Sequence, residues 1–161
     1  MMFVRTAGEQ DLEAIKALLS KAWHAAYDGI YSAQQVDEIT GQWHSIAALR
    51  AQLTQPHSEF LVADDGKLLG GVAFAVAVDD GRLVWLRQLY VLPDQQNKGI
   101  GTLLLDELCQ CFPQARTIRL ELERENVAAL EFYRARGFLL MDNQLKTMAD
   151  DLAMVMMEKP L

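Results

Sequence analysis

A short segment with two glycines, residues 91–102, constrains the fold of this chain more than any other feature. It follows an apolar run typical of a strand, residues 83–91, and precedes a run typical of a helix, residues 103–112. Gly99 and Gly101 have no Cβ, so an anion can approach the backbone closely and unusual φ angles are tolerated. A helix N-terminus adds N–H groups without acceptors and the positive end of the helix dipole. The segment therefore predicts a binding site for a phosphorylated ligand.

The spacing of the glycines excludes the best-known phosphate-binding loops. The segment contains neither G-x-x-x-x-G-K-[S/T] nor G-x-G-x-x-G followed about 20 residues later by an acidic side chain. Its pattern is Gln96-x-x-Gly99-x-Gly101. A tight strand-to-helix turn that binds no ligand is the alternative reading of this pattern.

A second motif follows further along the chain. Residues 117–123 alternate apolar and polar side chains, which predicts a strand. The next segment reads N-x-x-A-x-x-F-Y-x-x-x-G-F from Asn126 to Phe138. Asn126 is a good N-cap and Gly137 a good residue to end a helix, so the motif predicts a short helix between them.

Together the two motifs resemble those of the GNAT superfamily of N-acetyltransferases. The first is similar to the Q/R-x-x-G-x-G/A loop that binds the pyrophosphate of acetyl-coenzyme A, and the second is similar to the next signature of the family. They occur in the family's order and at a family-like separation. The resemblance implies the GNAT-like acyl-CoA N-acyltransferase fold, an α+β (mixed α/β) structure. Its single central sheet is mostly antiparallel and flanked by helices, and its fourth and fifth strands splay apart.

The rest of the chain is consistent with one domain, residues 1–161, because no repeat, low-complexity segment or linker interrupts it. After a strand at residues 2–5, Thr6-x-x-Glu9 predicts a capping box at the start of a helix. The remaining predictions are helices at residues 32–39 and 46–53, strands at 60–63 and 69–77, and closing strands at 138–140 and 153–157.

The resemblance also implies which residues bind the cofactor. Leu89, Tyr90 and Val91 are expected along the pantetheine, with the N–H of Val91 facing the acetyl oxygen. Asn126 is expected to bind the pantetheine or to order the active site. The pyrophosphate loop comprises Gln96, Asn97, Lys98, Gly99, Ile100, Gly101 and Thr102. For Lys98 the alternative is a solvated loop side chain, and for Thr102 a helix-start hydroxyl that bonds its own backbone.

Tyr133 and Glu121 are the predicted catalytic residues. In relatives a tyrosine at the position of Tyr133 lies beside the cofactor sulfur, and a phenol with a pKa of about 10 can donate a proton to a leaving thiolate. Packing at the sheet edge is the alternative role of Tyr133. Glu121 matches the position of a base in some members that acetylate peptide amines, and Glu123 shares its strand face. A solvent-facing or ion-paired glutamate, with deprotonation through water, is the alternative.

The acceptor side is predicted from the first helix and its connection to the second. The pattern W-x-x-x-Y-x-G-I, which contains Trp23, Tyr27 and Asp28, resembles a subgroup that includes polyamine acetyltransferases. Together with Tyr31, these rings and the Asp28 carboxylate could enclose a cation. Packing of the helix against the sheet is the alternative role of most of the aromatic residues.

Charge and composition limit the classes of binding partner that are expected. A net charge of −7 argues against nucleic-acid binding. No uncharged apolar run approaches the roughly 18 residues of a membrane span, and no signal peptide is recognised, so a cytoplasmic protein without a membrane partner is expected. Cys109 and Cys111 lack the spacing of a zinc or redox pair, and the three histidines are scattered, so no metal is expected. A homodimer is possible, with the apolar residues 153–157 contributing to it.

The sequence therefore predicts an enzyme that transfers an acetyl group from acetyl-CoA to a primary amine, on a small molecule or a peptide. The expected mechanism is direct attack in a ternary complex, since neither cysteine is paired with a histidine as a nucleophile. One alternative is a CoA-binding sensor or regulatory domain that keeps the fold without catalysis. Another is a structural domain that binds no cofactor.

Overall fold

The computed structural model describes residues 1–147 and 153–161. The strands are β1 (Phe3–Thr6), β2 (Ser58–Asp64), β3 (Leu69–Val78), β4 (Leu83–Val91), β5 (Thr117–Glu123), β6 (Leu139–Thr147) and β7 (Ala153–Pro160). The helices are α1 (Leu12–Tyr27), α2 (Ala33–Trp43), α3 (Ile46–Leu53), α4 (Ile100–Gln110) and α5 (Val127–Ala135). Short 3-10 turns, Glu9–Asp11 and Pro93–Gln95, precede α1 and α4. Within the described ranges, no helix has both the length and the hydropathy needed to cross a bilayer.

All seven strands belong to one sheet with the order β1-β2-β3-β4-β5-β7-β6. Every neighbouring pair is antiparallel except β4 and β5, which are parallel and connected through α4. A parallel pair needs such a crossover, because two strands running the same way cannot be joined by a hairpin. The mixed α/β, mostly antiparallel sheet implied by the two motifs is confirmed.

The parallel pair separates half-way along its length. β4 and β5 pair only from Leu83 to Leu86 on one strand and from Thr117 to Leu120 on the other. At this point β4 also has a bulge against β3, since Phe74 lies opposite Gln88 and Ala75 opposite Leu86, which leaves Arg87 without a partner on β3. A bulge bends its strand and changes the face on which the following side chains lie. The predicted splay of the fourth and fifth strands is confirmed.

Hydrophobic cores lie on both faces of the sheet. On one face α4 and α5 cover apolar side chains of the central strands, among them Val84, Leu86, Ile118 and Leu120. A second core joins α1 and α3 to β2 and β3. Cys109 packs against the α4–α5 core.

The local predictions are confirmed with some differences. Asn126 caps α5 by accepting a hydrogen bond from the N–H of Ala129, and Gly137 ends that helix region with a φ of 95°. α2 extends to Trp43 and α4 begins at Ile100, both beyond the predicted limits, and β6 continues to Thr147. The Thr6-x-x-Glu9 capping box is wrong. The N-terminal cap is Gly8, whose N–H donates to the Asp11 carboxylate at 2.8 Å.

Candidate active site

The loop from β4 to α4 presents a row of backbone N–H groups. In the part of the chain that the structure describes, no hydrogen bond uses the N–H groups of residues 97–99 as donors. Residues 100–102 form the first turn of α4, whose N–H groups have no acceptor inside a helix. Donors that point out of a helix N-terminus suit an anion, because the helix dipole favours negative charge there. The loop therefore fits the diphosphate of a nucleotide cofactor.

The two glycines of the loop have different structural roles. Gly99 is the N-cap of α4 in the left-handed region, with a φ of 82° that a side chain would strain. Gly101 has no such φ, but a Cβ there would lie 3.2 Å from two ring carbons of Phe132. The missing side chain at Gly101 therefore allows α4 to pack closely against α5, whereas the one at Gly99 allows the turn. Both are needed to hold the loop in its shape.

The backbone of β4 turns a donor toward the gap, which is the space between β4 and β5 beyond Leu86 and Leu120. The N–H of Leu92 donates to the carbonyl of Gly70 on β3 at 2.9 Å. Hydrogen-bonded and non-hydrogen-bonded pairs alternate along an antiparallel ladder, so the next pair, Val91 and Gly71, is non-hydrogen-bonded. The N–H of Val91 therefore points to the opposite edge of β4, where β5 has already separated. Leu89 and Val91 pack toward the α4–α5 core, while Tyr90 packs toward α1.

Tyr133 lies on α5 and packs into the α4–α5 core. Its ring packs edge to face with Phe132 and with Phe138, at centroid distances of 5.2 Å in each case. Burial raises the pKa of the Tyr133 phenol above its usual value, and the nearby Tyr27 phenol raises it further. Within residues 1–141 and 154–161 no hydrogen bond to its hydroxyl is present. The group is thus a protonated donor in a buried setting.

The first helix α1 and the α1–α2 connection, from which the acceptor side was predicted, contact the end of β5. The Tyr31 hydroxyl donates to Oε2 of Glu123 at 2.7 Å, and Nδ2 of Asn126 donates to the Tyr27 hydroxyl at 3.3 Å. Glu123 is only 3% exposed. The structure thus brings the predicted residues Tyr27 and Tyr31 together with Asn126, across about half of the chain.

The other predicted acceptor and catalytic residues occupy distinct places. Trp23 is buried, and its ring centroid lies 4.6 Å from that of Tyr27 with the two rings tilted by 44°. The Asp28 carboxylate bonds Nδ1 of His24 at 2.7 Å. Glu121 is half-buried and is the first β5 residue beyond the last β4–β5 pair.

One residue of the loop region was not singled out from the sequence. Arg136, after α5, donates from Nε and Nη2 to the Thr102 hydroxyl oxygen at 2.9 and 2.6 Å, and its guanidinium lies 3.6 Å from the centroid of the Phe132 ring. The Thr102 oxygen is therefore held by Arg136, while its hydroxyl proton stays available for donation. A positive group at the start of α4 adds to the attraction for an anion. The position of Arg136 inside the second motif was the only feature of the sequence that could have indicated this role.

No group of three or more His, Cys, Asp or Glu side chains that could hold a metal ion occurs in the described residues. The polar groups described above are backbone donors, phenols and carboxylates.

Comparison with known sequences decides the family. The model of the Acetyltransferase (GNAT) family matches residues 13–138, which include both motifs. The chain belongs to this family. It is therefore an acyltransferase, and the match runs from α1 to the start of β6, across the whole of the gap described above.

Individual relatives agree with this assignment. The chain is 26% identical over 146 residues to the spermidine N(1)-acetyltransferase of Thermoplasma acidophilum, covering 86% of this chain and 89% of the relative. It is 34% identical over 96 residues to the N-alpha-acetyltransferase RimI of Mycobacterium tuberculosis, covering 57% and 59%. The crystal structure of the PaiA N-acetyltransferase from Thermoplasma acidophilum in complex with coenzyme A superposes with a TM-score of 0.88. That match covers 100% of this chain and 99% of the other at 24% identity. It confirms the GNAT fold.

Proposed function

We propose that this acyltransferase moves an acetyl group from acetyl-CoA to a primary amine by direct attack within a ternary complex. The observation that carries the proposal is the set of groups around the β4–β5 gap. The N–H groups of the α4 loop, the N–H of Val91 that points away from β3 and the phenol of Tyr133 all belong to segments beside the point where β4 separates from β5. These are the functions that amide formation from a thioester requires: an anion site, a donor for developing negative charge and an acid.

Each group near the gap has its own role in the proposed reaction. When bound, acetyl-CoA supplies an activated acetyl thioester. The N–H groups of residues 97–102 hold its diphosphate, with Lys98 and Thr102 at the edge of the same site. The N–H of Val91 stabilises the negative charge that develops on the acetyl oxygen. Leu89 lies along the pantetheine, and Asn126 orders the wall of the gap through its bond to Tyr27.

Two protons have to move. Glu121 accepts the proton that the acceptor ammonium must lose before its nitrogen lone pair can attack the acetyl carbon. As the carbon–sulfur bond breaks, its electron pair goes to sulfur and Tyr133 donates a proton to it. The proton that the new amide nitrogen loses restores the tyrosine. Glu121 is the first β5 residue beyond the last β4–β5 pair, and Tyr133 lies on α5 beside the separated strands. Both positions support these roles.

A primary amine is the best-supported acceptor. The names of the relatives describe transfer to an amine of spermidine and to an N-alpha amine. The net charge of −7 raises the local concentration of cations near the protein. A small-molecule amine and a peptide amine are both compatible with these observations.

The direct test follows the release of free thiol from acetyl-CoA with a panel of polyamines, amino acids, aminoglycosides and peptide N-termini. Turnover with initial-velocity lines that intersect when both substrates are varied is expected. Parallel lines would contradict direct attack, because they indicate a covalent enzyme intermediate. Thermal stabilisation by CoA without turnover of any amine would contradict catalysis and support the sensor alternative.

A further inference from the structure

One arginine at the end of α5 is held in a fixed position beside the start of α4. Arg136 is the C-cap residue of α5, and its guanidinium carbon lies 3.6 Å from the centroid of the Phe132 ring. Its Nε and Nη2 donate to the Thr102 hydroxyl oxygen at 2.9 and 2.6 Å, and its Nη1 donates to the Phe132 carbonyl at 2.8 Å. The guanidinium therefore adjoins the last residue of the loop that carries the free N–H groups.

The charge of this guanidinium is not matched by a carboxylate. Other arginines of the chain, such as Arg5 and Arg119, pair with an aspartate or a glutamate. Among the residues that the structure describes, the hydrogen-bond acceptors of Arg136 are a hydroxyl and a backbone carbonyl. Both acceptors are neutral, so the full positive charge attracts an anion that reaches the side chain.

The guanidinium also has N–H groups to spare. It carries five N–H donors, and the hydrogen bonds to Thr102 and Phe132 use three of them. One N–H on Nη1 and one on Nη2 are left without an acceptor in the described residues. Two donors of one planar fork suit two oxygens of a single phosphate, and a fork that is already held in place loses little entropy on binding it.

The position of the fork indicates which phosphate it would bind. The diphosphate of CoA has the backbone N–H groups of the loop as donors, and the last residue of that loop, Thr102, contacts Arg136. In CoA a ribose joins the diphosphate to a phosphate monoester on its 3′ oxygen. A monoester carries a charge of about −1.5 to −2 at pH 7 and has three acceptor oxygens. It is thus the cofactor group that matches a charged fork next to the diphosphate site.

We propose that Arg136 binds the 3′-phosphate of CoA, so that the enzyme selects CoA over 3′-dephospho-CoA. The inference rests on the proposed function for the identity of the acyl donor. The two remaining N–H groups of Arg136 donate to oxygens of the monoester, while the others keep their bonds to Thr102 and Phe132. Arg136 is a specificity-determining residue for the cofactor in this arrangement and takes no part in the acetyl transfer itself.

The test compares two ligands that differ only in this phosphate, CoA and 3′-dephospho-CoA, by isothermal titration calorimetry. Arg136→Met removes the charge and keeps an unbranched side chain that can cover the Phe132 ring. Arg136→Gln also removes the charge but keeps an N–H donor for Thr102. Arg134→Met is the matched control, because it removes the same charge from an exposed side chain two residues away. Circular dichroism and the melting temperature establish which variants are folded.

The wild-type protein is expected to bind CoA at least about tenfold more tightly than 3′-dephospho-CoA, the range for charge-assisted hydrogen bonds. In Arg136→Met and in Arg136→Gln this ratio should fall close to one through weaker binding of CoA, and either variant is sufficient if the other does not fold. In Arg134→Met the ratio should persist.

Three results would overturn the inference while acetyl transfer stands. The first is equal affinity of the wild type for both ligands, and the second is an unchanged ratio in the Arg136 variants. The third is a loss of affinity in these variants that is equal for CoA and 3′-dephospho-CoA, because it would mean that Arg136 acts on the diphosphate or only through Thr102.

Failure of the proposed function gives a different result. Preferential binding of CoA that is lost in the Arg136 variants, with no transfer to any amine in the thiol-release assay, would overturn the proposed function and leave the phosphate site in place. Binding of neither ligand to the wild-type protein would contradict both proposals.

Discussion

Replacement of Tyr133 by phenylalanine gives the sharpest test of the proposed chemistry. The change removes one oxygen atom and keeps the ring that packs between Phe132 and Phe138. Because that oxygen has no hydrogen-bond partner in the described residues, its removal leaves no buried group unsatisfied. The melting temperature and the affinity for CoA are therefore expected to stay within experimental error of the wild type.

The effect on catalysis should be much larger. A general acid contributes roughly 10²–10⁴-fold to a rate, which corresponds to about 3–5 kcal/mol of barrier. We expect kcat of Tyr133→Phe to fall by at least about 100-fold in the thiol-release assay. Burial and the Tyr27 phenol raise the pKa of Tyr133, so its hydroxyl keeps its proton throughout the neutral range. The wild-type kcat should accordingly show no decline from this group as the pH rises toward 10.

Two results would refute this reasoning. A kcat within a factor of ten of the wild type, in a variant that binds CoA normally, would show that another group or water protonates the sulfur. A loss of activity that is matched by a loss of CoA affinity or of stability would show that Tyr133 acts by packing alone. Calorimetry with CoA and thermal unfolding, run on the same preparations, separate these results.

Three further predictions concern stability. Gly71→Ala should cost about 1–3 kcal/mol in urea unfolding, because its Cβ would lie 2.7 Å from Cδ1 of Leu104, whereas Gly29→Ala, with nothing within 4 Å, should cost nothing measurable. Equal stabilities of the two variants would contradict the packing argument. Asp11→Ala should cost about 2 kcal/mol, since the 6% exposed carboxylate accepts two arginine hydrogen bonds and caps the first turn. A loss below about 0.5 kcal/mol would mean that the ion pair contributes little. His24 has a raised pKa because it bonds two aspartates, so its stabilising effect should be complete below about pH 6.5 and disappear as the pH rises through the raised value. The melting temperature of the wild type should therefore fall more over that range than that of His24→Gln, and parallel profiles would argue against the pair.

Local signals in the sequence were sufficient for most elements and for the turn from β4 into α4. Asn126 caps α5 and Gly99 starts α4 because an N-cap and a left-handed turn depend on a few adjacent residues. The capping box at Thr6 was wrong for the opposite reason. Asp11 is held by Arg5, which also bonds Asp64 on β2, and this distant pairing moves the start of the helix.

The order of the elements, the turn from β4 into α4 and the position of Tyr133 on α5 were thus determined by the sequence itself, since each depends on periodicity or on short motifs. The tertiary structure alone decided which side chains meet at the end of β5. Tyr31 meets Glu123 although 92 residues separate them, and Asp28 bonds His24. Such contacts follow from the docking of α1 on the sheet and from the bulge at Arg87 that opens β4 from β5. They arise because long-range packing, rather than local spacing, sets which side chains share a gap between two strands.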